Sequence, residues 1–534
     1  MRNIVLIGFM GTGKTAVGER LAGRLGWAFV DTDGLVEARE GRTIPEIFQS
    51  QGEAYFRHLE SQVVGEVCLG ERQVIATGGG VVLRPENRKL LREAGVVISL
   101  VAEPEALLAR LGSAEGRPLL AGNVQGNLLR LLREREPLYR DADIVLDVTG
   151  KELEDVVNEC LDRLGERVCE TLTVRTRERV YPVHVGEGIV SLLGWALGKI
   201  ASGRRVALLT HRDLHARYGE MVVRALEASG YEVTVITIPS GERTKSLRTA
   251  QRLYDCLASS RIDRSSILVA MGGGVIGDVG GFVASTYMRG IPLVHLPTTL
   301  LAQVDSSIGG KTAVNHPRAK NLVGTFYQPH MVMADVAFLR SLPKREVRAG
   351  LAEVVKAGVV GDPDLFLHLE QNHRRILSLE TNPLVESIKR AVAVKVHVVE
   401  EDERDQNRRM VLNYGHTIGH ALEVAAGFRY RHGEAVAIGM ALEAEVARRM
   451  GLFPEESARR QEELLRHIGL PTRPRAVEPM KVLEAMALDK KARGGKLRFA
   501  LPVAIGHVEI VEDVPTSILE EVLRDGEDPC GTWS

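Results

Sequence analysis

The chain has 534 residues with 69 Lys and Arg against 70 Asp and Glu, a net charge of −1. That length fits about three or four domains, and balanced charge gives no footprint for nucleic acid or an anionic membrane, so neither is expected as a partner. The five cysteines show no CxxC spacing, no apolar run is long enough to span a bilayer, and the apolar start Ile4–Ile7 is too short for a signal peptide; a reducing, cytoplasmic setting is expected.

Ile4–Ile7 reads as a buried parallel strand. It runs into Gly8-Phe-Met-Gly-Thr-Gly-Lys-Thr15, which fits G-x-x-x-x-G-K-[ST] at every fixed position. In such a loop the N–H groups around Gly11, Thr12, Gly13 and Ala16 converge on phosphate oxygens. Lys14 adds a point charge, Thr15 takes Mg²⁺, and the helix starting near Lys14 aims its positive end at the anion. Phe29–Asp33 reads as a second strand ending in two acids, Asp31 and Asp33. One acid suits a magnesium site and the other suits accepting a hydroxyl proton. Arg57 and Glu60 lie about one helical turn apart, as a structural ion pair or as a carboxylate reader held by its partner. Ile75–Gly80 reads as a strand entering a glycine turn, Gly112–Leu120 as a lid carrying Arg117, and Arg135 as a further cation.

In this order, these stretches closely resemble shikimate kinase over about residues 1–165. The resemblance implies a P-loop fold, a parallel sheet flanked by helices. It implies that Asp33, Arg57, Arg135 and the backbone of Gly79 hold shikimate, with Asp33 catalytic. Lys14 and Arg117 would act on ATP, and Thr15 and Asp31 would serve Mg²⁺. Ile144–Asp147 and Lys151–Leu164 read as a last strand and a closing helix, and residues 166–171 as a short charged linker.

Beyond it, Leu172–Arg175 and Val180–Val185 alternate like paired strands. Arg205–Thr210, Glu232–Ile238, Ser266–Met271 and Leu293–Thr299 are buried-strand patterns. The third empties into Gly272-Gly-Gly-Val-Ile-Gly-Asp278, a turn suited to a dinucleotide pyrophosphate although it is not the usual fingerprint. Within Asp305–Thr312, Gly310-Lys-Thr312 looks like a P-loop fragment but lacks the leading glycine at the right spacing, so a second ATP site is rejected. Lys311, Lys320 and Asn321 fall in what reads as a Gly/Asn/Pro-rich loop. Arg348–Lys356 is a helix whose Glu353 and Lys356 share a face among Ala, Leu and Val, so burial with a partner such as a metal is open to them. In Arg408–Glu423, His416 and His420 stack about one turn apart on a helix, and His432 follows a glycine-containing turn. Three imidazoles invite zinc, which then needs a carboxylate or further His from elsewhere.

Residues 172–525 resemble 3-dehydroquinate synthase, on Ser240–Lys245, Gly272–Asp278, Met288–Gly290, Pro297–Thr299, Asp305–Lys311, Lys320–Asn321, Ala352–Lys356, Lys395, Arg409, Asn413–His420 and His432–Glu434. The resemblance implies an α/β NAD-binding domain over 172–340 and a mainly α-helical metal- and substrate-binding domain over 341–534. It places Zn²⁺ or Co²⁺ on Glu353, His416 and His432, which moves His420 from ligand to proton transfer. NAD would lie across Glu242, Lys245, Gly274, Asp278, Thr298, Thr299, Lys311 and Lys320. Arg289, Asp305, Lys311, Asn321, Lys356, Lys395, Arg409, Asn413 and His420 would surround a heptulosonate 7-phosphate, with Lys311, Lys356, Arg409 and His420 catalytic. Asp405, Asn407 and Ser341 depart from the pattern; Asn407, which tolerates positive φ, is expected to keep its turn. A homodimer through the synthase part is expected. Two rivals remain: a synthase with a regulatory nucleotide-sensing P-loop domain, and a zinc/NAD polyol dehydrogenase.

Overall fold

Continuous apolar runs become the inner strands of two sheets. The computed structural model describes residues 3–111, 118–120, 122–475, 477–492, 497–512 and 514–525. Two units emerge: Met1–Cys169 with Gly188–Lys199 and Glu220–Glu232, and Glu170–Glu187, Ile200–Gly219 and Val233–Ser534.

In the first unit, β1 (Asn3–Gly8), β2 (Ala28–Asp31), β3 (Gln73–Ala76), β4 (Gly95–Val101) and β5 (Ile144–Asp147) form a parallel sheet in the order β2-β3-β1-β4-β5. Strand alternation sends Ile4 and Leu6 to one face and Val5 and Ile7 to the other. Ile4 and Leu6 pack with α1 (Lys14–Leu25) and α5 (Leu153–Val168), through Leu21, Leu25, Leu161 and Leu164. Val5 and Ile7 pack in a second cluster with Leu128, Leu131 and Tyr139 of α4 (Val124–Arg140). Helices α2 (Thr32–Glu40) and α3 (Ile44–Val67) follow β2. Because β3 and β4 flank β1, the loop after β1 leaves the sheet where the strand order reverses, the place where α/β folds bind ligands. Asp33 is not on a strand as expected: β2 stops at Asp31, whose carboxylate accepts hydrogen bonds from the N–H groups of Asp33 and Gly34 and so caps α2.

The second unit is built on a seven-stranded sheet. Its strands are β6 (Cys169–Arg175), β7 (Val180–Gly186), β8 (Arg205–His211), β9 (Glu232–Ile238), β10 (Ile267–Gly272), β11 (Leu293–Pro297) and β14 (Met331–Asp335), in the order β6-β7-β14-β11-β10-β8-β9. The run from β7 through β14, β11 and β10 to β8 is parallel. Every residue of β10, β11 and β14 is buried, as expected of largely apolar strands in a covered parallel sheet; His295 on β11 and Asp335 on β14 are the polar exceptions. Two antiparallel hairpins stand apart, β12 (Lys311–His316) with β13 (Ala319–Phe326), and β15 (Phe499–Ala504) with β16 (His507–Val511). Lys311, Lys320 and Asn321 therefore sit on hairpin strands and not in a loop; turn-forming residues in the sequence mask the pairing.

Helix α6 (Gly274–Thr286) leaves β10, and the remainder is mainly helical: α7 (Lys344–Gly361), α8 (Thr381–Glu401), α9 (His416–Ala425) and α10 (His432–Arg449). Helix α7 is buried without a break from Ala349 to Val360, the signature of a helix surrounded by neighbours. Among the described residues no helix is long and apolar enough to cross a membrane. The Asn407 expectation fails: it has φ −153°, and the left-handed residue is Asp405, at φ 56°.

His295 on β11 is buried, and that burial pushes its imidazole down to about 4. Its pKa is lowered on folding, so the neutral ring's contribution is complete above the unfolded value near 6.5 and is lost as pH falls toward 4. Stability of the second unit is expected to drop by about 2 kcal/mol from this group between pH 7 and pH 5. Urea unfolding at both pH values checks this, and His295→Leu should flatten the dependence.

Candidate active sites

The first site forms where β1 and β3 end. Gly11 and Gly13 take φ of 82° and 88°, a left-handed backbone that glycine adopts without strain, and α1 begins at Lys14. The Lys14 ammonium donates to the carbonyls of Gly8 and Phe9 at 2.9 and 3.0 Å, folding back over the loop. Burial lowers its pKa to about 8 against the opposing pull of Asp33 and Asp31. Thr12 is buried and its hydroxyl donates to the Phe9 carbonyl at 2.8 Å, while Ala16 is exposed on the first turn. The Thr15 hydroxyl donates to Asp31 Oδ2 at 2.9 Å, so the two expected magnesium residues already touch. A hydroxyl and a carboxylate beside a phosphate-binding loop suit a hard cation that keeps its waters.

Opposite the loop, the glycine turn of residues 78–80 gathers the acceptor residues. A Cβ at Gly78 would lie 2.5 Å from Asp33 Oδ1, and one at Gly80 would lie 2.2 Å from both terminal nitrogens of Arg57. Arg135 donates to the Gly79 carbonyl at 3.3 Å, and the Tyr139 hydroxyl reaches the same oxygen. Arg57 is fixed by Glu60 at 2.9 Å and by Glu53 at 3.1 Å, so the ion pair named among the sequence alternatives is present, and the guanidinium faces the turn. Among the described residues, Asp33 Oδ1, Glu60 Oε1 and Arg135 Nε are buried without hydrogen-bond partners, as expected of groups that face a polar ligand. Burial and the neighbouring Glu60 carboxylate raise Asp33 to about 6, against Lys14. A carboxylate so poised suits a general base working near neutrality. Arg117 lies outside the described residues.

The second site centres on Glu353. Its carboxylate is 2% exposed, and Oε1 lies 3.5 Å from both His416 Nε2 and His432 Nε2. Donor atoms of the three residues fall within 4.8 Å of one another. Zn²⁺ held at about 2.1 Å by tetrahedral ligands separates them by roughly 3.4 Å, close to the spacing found. Among the described residues neither Glu353 oxygen accepts a well-aligned hydrogen bond, and Lys356 lies against Oε2 as an ion pair. A buried carboxylate facing two imidazoles fits a divalent cation.

Three helices bring these residues together. Helix α7 supplies Glu353 and Lys356, α9 opens on His416, and α10 opens on His432. An added Cβ at Gly433 would sit 1.8 Å from the Ala349 carbonyl, so only glycine lets α10 start against α7, one turn before Glu353. The start of α9 is fixed from α10: Glu443, fully buried, accepts from the N–H of Gly415 at 2.6 Å and of Ile418 at 3.0 Å. Burial drives Glu443 up to about 8 although those N–H groups favour its anion. In the sequence Glu443 is one of two acids, with Glu445, in the otherwise apolar stretch Ala435–Val446, which gives little to single it out.

The two imidazoles beside Glu353 shift in opposite directions. Burial and the Lys356 cation push His416 down to about 3. Burial also opposes charge on His432, but carboxylates at both its nitrogens, Glu353 and Glu423, lift it to about 10. His420 is exposed, with its ring 5.2 Å from that of His416 and 5.8 Å from that of His432.

Cations continue inward from Glu353. Lys395 pairs with Asp305 and donates to its carbonyl at 2.8 Å, and Lys356 also acts electrostatically on Asp305. Arg409 is buried and donates to the carbonyls of Gly309 and Glu403 at 3.2 and 3.1 Å. Lys311 pairs with Asp405, Asn413 ends the turn before α9, and Arg289 is exposed at φ 67°.

The expected dinucleotide residues gather at the ends of β10 and β11. The Thr298 N–H donates to the Gly272 carbonyl at 3.0 Å, and a Cβ at Gly273 would lie 3.1 Å from the Thr299 methyl. Gly274 starts α6, whose Asp278 pairs with Lys245. Glu242 accepts from Asn315 at 2.7 Å, and Asn315 in turn accepts from the Asn321 N–H at 2.9 Å. Lys320 instead lies 4.1 Å over the Phe428 ring and acts on Glu423, beside the imidazole cluster. Ser341 donates to the Phe338 carbonyl at 3.2 Å.

Three family models match the chain: shikimate kinase over residues 10–165, 3-dehydroquinate synthase N-terminal over 235–349, and 3-dehydroquinate synthase C-terminal over 350–492. A 3-dehydroquinate synthase of Desulforamulus reducens is 46% identical over 355 residues, 66% of this chain and 99% of that protein. One from Nostoc punctiforme is 44% identical over 357 residues, 66% of this chain and 98% of that one. Among solved structures, a 2-epi-5-epi-valiolone synthase from Streptomyces hygroscopicus with NAD⁺ and Zn²⁺ bound matches at TM-score 0.61 and 30% identity, over 66% of this chain and 98% of that one. A 2-deoxy-scyllo-inosose synthase complexed with carbaglucose-6-phosphate, NAD⁺ and Co²⁺ matches at TM-score 0.59 and 27% identity, over 67% and 100%.

Proposed function

The chain belongs to the 3-dehydroquinate synthase family and carries a shikimate kinase domain ahead of the synthase, and from that premise we propose how its two sites divide the work. It is a bifunctional enzyme of the shikimate pathway. One activity transfers a phosphoryl group from ATP to shikimate. The other converts 3-deoxy-D-arabino-heptulosonate 7-phosphate to 3-dehydroquinate and phosphate. We assign residues 1–165 to the kinase, 172–340 to NAD binding, and 341–534 to metal and substrate binding.

In the kinase, Arg57, Arg135 and the Gly79 backbone hold shikimate, with the guanidinium groups on its carboxylate. Asp33 takes the proton of the attacking hydroxyl as the γ-phosphoryl group moves onto it. Lys14 and the N–H groups of the loop stabilise charge on the phosphates, Arg117 acts on ATP, and Thr15 and Asp31 would hold Mg²⁺, which would supply charge neutralisation at the phosphates.

In the synthase, Glu353, His416 and His432 hold Zn²⁺ or Co²⁺, and Glu242, Lys245, Gly274, Asp278, Thr298, Thr299, Lys311 and Lys320 hold NAD. When bound, these groups supply a reversible hydride acceptor and a Lewis acid at the substrate hydroxyl. Lys356, Lys395, Arg409, Lys311 and Arg289 surround the substrate's carboxylate and phosphate with positive charge, and Asp305, Asn321 and Asn413 orient its hydroxyls. His420 exchanges a proton with the substrate. The observation that carries this reading is the convergence of Glu353, His416 and His432 from three helices beside Lys356.

Incubating the full chain with the heptulosonate phosphate and less than one equivalent of NAD tests it. One phosphate per substrate is expected, with no accumulation of NADH. NADH rising with substrate would favour net polyol oxidation instead. ADP is expected only when shikimate is present; nucleotide binding without shikimate-dependent turnover would make the first unit a sensor.

A further inference from the structure

His432 lies between two carboxylates. Its Nε2 is 3.5 Å from Glu353 Oε1, and its Nδ1 is 3.1 Å from Glu423 Oε1. Glu423 stands two helical turns along α9 from His416, only 16% exposed. Two donor sets therefore share one ring: Glu353 with His416 and His432, and His420 with Glu423 and His432.

The two contacts differ in kind. The 3.5 Å spacing to Glu353 is close to the ligand–ligand edge around a tetrahedral zinc, whereas 3.1 Å is an N–H···O hydrogen bond. A neutral imidazole has one lone pair and one N–H, so a ring that gives Nε2 to a cation keeps its proton on Nδ1. We propose that Glu423 is a positioning residue for the metal site: it accepts the Nδ1–H of His432, fixes that tautomer and ring angle, and turns the Nε2 lone pair toward Glu353 and His416. The inference rests on the metal assignment made above. It gives a role to the last residue of the His416–Glu423 stretch, which that assignment leaves unused. Carboxylates behind ligating histidines raise ligand basicity, and their loss costs about 10- to 100-fold in metal affinity.

The test uses the full chain loaded with Co²⁺ and no nucleotide, titrated with a competing chelator while the cobalt absorption is followed. Glu423→Ala is expected to bind Co²⁺ about 10- to 100-fold more weakly than wild type. Glu423→Gln, which keeps an acceptor oxygen without the charge, is expected to fall between. With the metal chelated, all three proteins should keep the wild-type far-ultraviolet circular dichroism spectrum; loss of secondary structure in the variants would mark Glu423 as packing and overturn the proposal. Equal Co²⁺ affinity in wild type and Glu423→Ala overturns it while leaving the metal site standing. A fall from two ions per chain to one makes Glu423 a ligand of a second site and overturns it as well. Wild type that binds no Co²⁺ overturns both this proposal and the metal assignment beneath it.

Discussion

His416→Ala is expected to abolish metal retention and synthase turnover while leaving shikimate phosphorylation at its wild-type rate. The ring lies 3.5 Å from Glu353 through Nε2, and its Nδ1 is 3.1 Å from the Tyr414 carbonyl, which sets its orientation. Its removal leaves one imidazole and one carboxylate, fewer than a catalytic zinc site uses. Losing a direct ligand must cost more than losing a partner behind one, so the fall in affinity should exceed about 100-fold. A Lewis acid at the reacting oxygen is worth several kcal/mol, which converts to about 10³-fold in rate. Metal content after gel filtration and phosphate release measure the two effects. Unchanged metal content would refute the ligand assignment. Kinase activity should persist, because Lys14, Asp33, Arg57 and Arg135 all lie in the first unit; the circular dichroism spectrum of the metal-free chain, compared with metal-free wild type, is the folding control.

The features readable in advance are those whose physics is local. The P-loop is one short stretch in which each residue does its own work, so its strand, turn and helix follow from the sequence. Glu353 and Lys356 stood out as charges amid aliphatic residues, and both prove buried. What escaped depends on partners distant in the chain. Glu443 matters because the N–H groups of Gly415 and Ile418 meet it, and nothing near it in sequence says so. Glu423 resembles an ordinary surface acid of α9 until His432 closes onto it. The β12–β13 hairpin reads as a loop in the sequence because its Gly, Asn and Pro residues carry strong turn signals, while the register that pairs Lys311 with Phe326 is set only on folding. At Asn407 the residue type suggested positive φ, but Asp402 accepts from the N–H groups of Gln406 and Asn407, and the left-handed turn falls on Asp405.

Lys14→Ala separates the two activities from the other side, and its kinase rate is expected to fall by about 10²- to 10³-fold, the loss typical of one electrostatic contact to a transition state. The ammonium already sits over the loop, bonded to Gly8 and Phe9 carbonyls, so little reorganisation is needed when a phosphate arrives. Burial that lowers its pKa to about 8 leaves it mostly protonated at pH 7 and poorly solvated, which strengthens its pull on an anion. Shikimate affinity should fall far less than the rate, because Arg57 and Arg135 are held by Glu60 and the Gly79 carbonyl without Lys14, and only Asp33 loses the opposing pull of the Lys14 charge. Lys14→Met keeps most of the aliphatic stem and should lose as much rate as alanine, which separates charge from packing. The synthase rate decides between two catalysts and one catalyst with a sensor. Two independent sites require that rate to be the same in wild type and variant, with or without ATP. A synthase rate that responds to ATP in wild type and not in Lys14→Ala would make the P-loop a regulator of the other half.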